Sequence, residues 1–388
     1  MTDVFSIGLS ALLAQQRALS TTSNNIANVN TPGYSRQRVE FTERSLERIG
    51  NDFFGTGVEV ANVRRLFDDL LAGQQRSAAS RLNRSDTFNR FAGNLDNLLA
   101  DSDTGISAGL TRFFNAVQDL ADDPASTSAR QVLLSEAESL AGRFEIFDRR
   151  LAEVDREISS RLNASVIEIN GLAESIADVN AKILTSGGAG GGQIPADLLD
   201  QRELLLNRLS ELANVTTVPQ SDATLAVFIG NGQPLVLGTE ANQLAIELSD
   251  FDPSRAEIVL VGDVANVRIT QFLSGGIVGG LLDFQREMLD PTRNELGRFA
   301  VTLTETFNTQ QAMGMDLNGQ LGEAFFGVGA PQVFPSRTNG GGATVTASID
   351  DLGGLEATGY RLFFDGANYA LSRTDTGEAV ALTGTGSV

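Results

Sequence analysis

The chain offers few side chains that could do covalent chemistry. It has no Cys and no His. Thiolate nucleophiles, histidine bases, disulfides and zinc sites of the usual Cys/His kind are therefore excluded. Carboxylate-only hydrolysis and metal–carboxylate sites survive that inventory. The adjacent acids are Asp68-Asp69, Asp122-Asp123 and Asp350-Asp351. Neighbouring acids on a helix project to different faces, so adjacency does not make an acid/base pair. Each pair sits in a helix-end or turn context and reads as solvated charge. "MDLNG" (315–319) superficially resembles a calcium loop, but no sixth-position Gly or distal Glu fits, and it reads as a linker. "GGAGGG" (187–192) and "LSGGIVGGLLDFQ" (273–285) lack the lysine of a phosphate loop, and the first reads as a flexible inter-helix turn. No catalytic, cofactor-binding or metal-binding residue is expected, and no cofactor.

The stretch with the most specific chemistry acts on its own backbone. "SNNIANVNTPGYSRQ" (23–37) places Asn24, Asn25, Asn28 and Asn30 at the end of an apolar helical pattern, followed by Pro32, Gly33 and Tyr34. Asn tolerates left-handed backbone and bonds to its own main chain, so the cluster loosens the last helical turns. Pro32 bars the α region at Thr31, and Pro32-Gly33 suits the centre of a tight turn. The preceding helix, predicted over 3–30, carries Phe5, Leu12, Leu19 and Ile26 at seven-residue steps, with Leu9 interleaved. Gln16, Ser23 and Asn30 continue the interleaved row in polar form. Such a one-sided seam is an ordinary amphipathic surface or a helix that pairs only on assembly.

Bulk properties bound the rest. The chain has 388 residues, 41% of them hydrophobic, and a net charge of −20. That length supports two or three domains. Residues 1–100 carry 11 Arg and 10 acids, while residues 101–388 carry 18 bases and 39 acids. The acidity disfavours nucleic acid and anionic lipid. The N-terminus lacks a basic region of the secretory type, and no apolar run approaches a membrane span. A cytosolic protein or export without a cleaved signal follows.

Periodicity predicts helices over 65–100, 106–121 and about 125–184, the last with a stripe through Leu140, Phe144, Phe147, Leu151, Val154, Ile158, Leu162, Val166, Ile169, Leu172, Ile176, Val179 and Ile183. The extra four-residue step from Leu162 to Val166 reads as a stutter. A return helix is predicted over 194–212, and a helix over about 279–313 that Pro291 kinks or divides. Between them, residues 215–272 switch to strand period, with a hairpin about Asn231-Gly232. "GVEVANV" (57–63) reads as a short strand, and "YRLFFDGANYALS" (360–372) as a hairpin. The expected class is mainly α with β parts (α+β): an elongated, rod-like helical bundle with a β-hairpin insertion, an outer β domain and an N-terminal coiled-coil helix. The expected divisions are 1–45 (axial helix and hinge), 46–318 (bundle with the insertion) and 319–388 (start of an outer β-rich domain).

"NNIANVNTPGYSRQ" (24–37) resembles the signature of bacterial flagellar rod, hook and hook-associated proteins. "GVEVANVRRLFDDLL" (57–71), "LTRFFNAVQDLADDPASTSARQVLLSEAESLAGRF" (110–144), "INGLAESIADVNAKI" (169–183) and "GGLLDFQREMLDPTRNELGRFAVTLTETFN" (279–308) narrow the resemblance to the flagellar hook-associated protein 1 (FlgK) family, across essentially the whole chain.

The resemblance implies a non-enzymatic structural protein of the bacterial flagellum, exported without a cleaved signal and assembled axially at the hook–filament junction. Its implied partners are other copies of itself, the hook protein, the next junction protein, the flagellar export machinery and a dedicated export chaperone. The acidity and the lack of an apolar span add the expectation of no nucleic acid and no membrane insertion. On this resemblance Phe5, Leu9, Leu12, Leu19 and Ile26 form an assembly seam, and Asn24 to Tyr34 a hinge. The family returns to its rod through C-terminal helices, whereas this chain ends at "GTGSV" (384–388), so a fragment or a truncation is expected. The alternatives are another axial hook or rod protein, a secreted adhesin-like protein or enzyme on a helical stalk, and a cytosolic coiled-coil scaffold.

Overall fold

The computed structural model describes residues 4–99, 105–187, 194–316, 318–340, 344–366 and 368–382. In chain order it begins with α1 (Val4–Ala27), β1 (Gln37–Glu43), β2 (Glu47–Ile49), β3 (Asp52–Phe54) and β4 (Val58–Arg65). The helices α2 (Asp69–Leu99), α3 (Ile106–Asp122), α4 (Thr127–Thr185) and α5 (Ala196–Leu212) follow. Seven strands come next: β5 (Val215–Pro219), β6 (Leu225–Ile229), β7 (Gln233–Leu237), β8 (Glu240–Ala241), β9 (Leu244–Leu248), β10 (Ala256–Leu260) and β11 (Val267–Arg268). The chain continues through α6 (Gly276–Phe284), α7 (Asp290–Ala312), β12 (Tyr360–Phe364), β13 (Tyr369–Arg373) and β14 (Ala379–Val380). The class is mainly α with small sheets, as the periodicities predict. The glycine run 188–192 and the terminal "GTGSV" lie outside the described residues.

Two compact units form, each from three stretches of chain. Unit 1 comprises Met1–Asn83, Ser165–Ala245 and Ile258–Val278; unit 2 comprises Arg84–Ala164, Ile246–Glu257 and Gly279–Val388. Helices α2 and α4 contribute to both.

The buried apolar residues of unit 1 include Val166, Ile169, Ile176, Val179 and Ile183 of α4, Leu206 and Leu209 of α5, and Val227 and Val236 of the sheet β5-β6-β7-β8. The predicted hairpin is β6–β7, closed by Gly232 at φ 100°. Two helical asparagines fasten strands to α4. Asn170 donates to Leu244 O and accepts from Leu244 N, both at 2.8 Å. Asn180 donates to Leu225 O at 2.9 Å and Gly238 O at 2.7 Å and accepts from Leu225 N at 3.3 Å.

Unit 2 is built on aromatic packing. Phe113 of α3 is fully buried and meets Phe307 of α7 and Phe326, with ring centroids 5.4 and 5.6 Å apart. Asn308 repeats the fastening: its carbonyl accepts from the Phe325 and Phe326 amides at 2.8 and 2.9 Å, and its amide donates to Phe326 O at 2.8 Å. Ser126 caps α4 through Ala129 N at 3.2 Å. On the α4 stripe, Leu140, Leu151, Ile158 and Leu162 are buried, and the burial steps from Leu162 to Ser165 and Val166 as the stutter predicts.

Three differences from the sequence expectations have local causes. Helix α2 starts at Asp69, not 65, because β4 runs through Arg65 and the Asp68 carboxylate then caps the Leu70 and Leu71 amides at 3.0 and 3.1 Å. Asp68 is thus a cap as well as a solvated charge. "NVRITQF" yields only the two-residue β11 and a short 3-10 turn at Thr270–Phe272. Before Pro291 the helix widens into a π turn at Gln285–Leu289. Pro291 has no amide hydrogen and crowds the carbonyl four residues back, Glu287, so the wider turn sits where the α ladder is interrupted. In "MDLNG" the Asp316 carboxylate accepts from the Asn318 and Gln320 amides at 2.8 and 2.7 Å, so it folds its own loop. Those backbone bonds, Gln320 first, hold its carboxyl below the ordinary aspartate value.

Candidate assembly interface

Helix α1 packs with the face that its hydrophobic pattern does not mark. Its less exposed residues are Ile7, Ser10, Ala14, Ala18, Thr21, Asn25 and Asn28, a stripe of three- and four-residue steps with Ala14 buried. That small and polar stripe lies against the ribbon of β1 and β4, whose antiparallel register runs from Gln37↔Arg65 to Glu43↔Val58 with a bulge at Glu40/Phe41. The seam points elsewhere. Phe5 is 83% exposed, Leu9 56%, Leu12 68%, Leu19 69% and Ile26 69%. Five large apolar side chains, each more than half exposed on one helix, make a surface suited to a partner.

Small residues let the helix approach. Ser10 Oγ donates to Ile7 O at 2.8 Å and accepts from Val58 N at 3.3 Å. Gly57 precedes Val58 at φ 109°, and a Cβ there would lie 2.2 Å from Ser10 Oγ. Only glycine fits that position without strain.

The end of α1 is tied down residue by residue. The Asn25 amide donates to Gln37 O at 2.8 Å, and its carbonyl accepts from Gln37 N at 2.9 Å and from the Tyr34 hydroxyl at 2.8 Å. This couples the helix directly to the first residue of β1. Asn28 donates to Asn24 O and Oδ1, both at 3.0 Å, and accepts from Thr31 Oγ1 at 3.1 Å. Asn24 reaches the Tyr34 hydroxyl at 3.4 Å. Asn30 and Pro32 are exposed. Tyr34 N donates to Thr31 O at 3.2 Å across Pro32 and Gly33, and Gly33 stands at φ 80°: a type II turn.

Residues remote in sequence complete the anchor. Asp200 of α5 accepts from Ser35 N at 3.0 Å and pairs with Arg65 Nε at 2.6 Å. Leu204 lies 3.3 Å from where a Gly33 Cβ would be. Burial pushes the Tyr34 phenol above its ordinary value, and the Asp200 carboxylate pushes the same way, so Tyr34 remains a neutral donor to Asn25. The structure therefore brings Asn24, Asn25, Asn28 and Tyr34 into one network and leaves the seam outside it. Sequence reasoning missed Ser10, Gly57, Arg65 and Asp200. The small residues at 10, 14, 18 and 21 were the readable signal for Ser10; the other three carry no local signal.

Among the described residues, no group of three or more acids is placed to hold a metal, and no helix is long and apolar enough to cross a membrane.

Comparison with known proteins points the same way as this geometry. The family model for the helical domain of flagellar hook-associated protein FlgK matches residues 92–326, and that for flagella basal body rod protein matches residues 5–34. The chain is 36% identical over 378 residues to flagellar hook-associated protein 1 of Salmonella typhimurium, covering 96% of this chain and 68% of that one. It is 33% identical to the Escherichia coli protein of the same name over 385 residues, covering 99% and 70%. The solved flagellar hook junction protein FlgK from Burkholderia pseudomallei superimposes with a TM-score of 0.73 at 33% identity, over 80% of this chain and 56% of that chain. The chain thus spans about two thirds of the curated relatives and just over half of the solved one.

Proposed function

The chain belongs to the flagellar hook-associated protein 1 (FlgK) family, and from that premise we propose that it is a structural, non-enzymatic piece of the junction between hook and filament. The observation that carries the reading is the exposure of the α1 seam, above all at Leu12, Leu19 and Ile26. Phe5, Leu9, Leu12, Leu19 and Ile26 would be covered by helices of the assembled axis. Residues 1–45 then act as the axial piece, 46–318 as the body and the residues from 319 as the start of an outer part.

The anchor gives this division a mechanical sense. Axial assembly needs α1 held at a defined angle to the body while its apolar face stays free. Asn25, Tyr34, Ser35 and Asp200 fix the exit of α1 with a set of hydrogen bonds, each worth about 0.5–1.5 kcal/mol net. The hinge motif is then a set joint rather than a free swivel. The partners in this reading are other copies of the chain, the hook protein, the next junction protein, the export machinery and an export chaperone. The location is the flagellum, reached without a cleaved signal.

Complementation tests it. In a strain lacking the gene, the wild-type protein should restore filaments on hooks by electron microscopy. The triple variant Leu9→Ser, Leu12→Ser and Leu19→Ser should fold but leave hooks bare. Normal filaments on the triple variant would overturn the reading.

A further inference from the structure

Unit 1 contains a cleft of about 700 Å³ beside the anchor, between the start of α2, α5 and β5. That is a ligand-sized volume. Its polar lining is unusual for so acidic a chain: Arg65, Arg76, Arg81 and Arg202, with Asp69 and Glu203. Two of the arginines are matched. Arg76 pairs with Glu203, and Arg65 pairs with Asp200 through Nε.

The remaining capacity is unmet. Arg65 Nη2 is fully buried and has no acceptor among the described residues, while its guanidinium lies 3.9 Å over the Phe67 ring. Arg202 Nη1 donates only to neutral groups, Asn180 Oδ1 at 3.2 Å and Ala223 O at 3.0 Å. Among the described residues no carboxylate pairs with Arg202 or with the exposed Arg81. Burial holds the Arg202 guanidinium below its ordinary value despite the opposing pull of Glu203. A desolvated guanidinium that has carboxylates nearby, Glu203 and Asp69, but none bonded to it is costly, and its planar fork matches a carboxylate.

We propose that this arginine cleft receives a carboxylate-bearing segment of a second copy of the chain, with Arg202 and Arg81 as the donors. The charge distribution favours that occupant. The chain holds 49 acids against 29 bases, and residues 101–388 alone carry 39 of those acids. An acidic neighbour is therefore what each copy meets on assembly, and opposite charge selects its register. The proposal rests on the reading that copies assemble, and the test separates the two.

The test places a photo-crosslinking amino acid at Gln74, which lines the cleft, or at Leu12 on the seam, in flagella of the bacterium that makes the protein. The expected Gln74 product joins two copies of the chain through a peptide holding at least two Asp or Glu. Arg202→Gln should lower its yield about tenfold, the factor that corresponds to one lost charge-assisted bond. Arg81→Gln, at an exposed side chain whose loss leaves the fold intact, should lower it about threefold. Neither should change the Leu12 product. A Leu12 product without a Gln74 product, or a Gln74 product insensitive to both substitutions, overturns the cleft proposal and leaves assembly standing. Capture of a different protein, or of a segment without acids, also overturns it. Absence of both products overturns assembly and the cleft proposal together.

Discussion

Helices α1 and α4 carry the same kind of hydrophobic repeat and use it in opposite ways. Along α4, Leu151, Ile158, Leu162 and Ile169 are at most 1% exposed. Along α1, Phe5, Leu12, Leu19 and Ile26 are at least 68% exposed. Helix α4 packs by its apolar stripe; α1 packs by Ile7 and a stripe of small and polar residues and leaves its apolar seam largely exposed. A heptad pattern thus predicts a helix with a face, but not whether the cover for that face folds with it.

The comparison can be broken most severely from the α4 side. Leu162→Ala should cost about 2–5 kcal/mol in urea unfolding, the range for a buried leucine that leaves a cavity. A cost below about 1 kcal/mol would mean that the stripe is not a core. Gly57→Ala tests how α1 is held. It puts a Cβ onto Ser10 Oγ at a positive φ and should cost about 1–3 kcal/mol, with faster amide exchange along Ser10–Thr21. Unchanged exchange there would detach α1 packing from Gly57.

Asn25→Ala removes three hydrogen bonds at the exit of α1 and should cost about 1–2 kcal/mol, read locally as loss of protection at the Gln37 amide. Full protection at Gln37 would sink the joint. Leu12→Ala should shift urea stability of the free chain by less than about 0.5 kcal/mol, as exposed positions do. A shift matching that of Leu162→Ala would place the seam in a core and end the contrast.

Much of this was legible in the residues. Strand period marked the hairpins, and the four-residue step at Leu162–Val166 marked where the α4 stripe rotates. The Asn cluster and Pro32-Gly33 marked the end of α1. What the motif does beyond that was not legible. Asn25 was read as a residue that loosens a helix, yet it fastens the helix to a strand, as Asn170 and Asn180 do, and Asn308 fastens its helix to the bend at Phe325–Phe326 in the same way. An asparagine amide matches the main-chain donor and acceptor of one residue, so both readings share a cause, and only the fold decides between them. Asp200 was invisible for a different reason. It reaches Ser35 across 165 residues, and nothing near it in "DLLDQRELLL" (197–206) marks that carboxylate over its neighbours.

Amide hydrogen exchange along residues 5–26, compared with residues 151–169 in the same sample, tests the contrast most directly. In the free chain the α1 amides should exchange about a hundredfold faster than those of α4, because the seam adds no burial to hold the helix. In sheared flagella the two should approach each other as α1 becomes covered. Protection of α1 equal to that of α4 in the free chain would contradict the claim that the seam is an assembly face awaiting its cover.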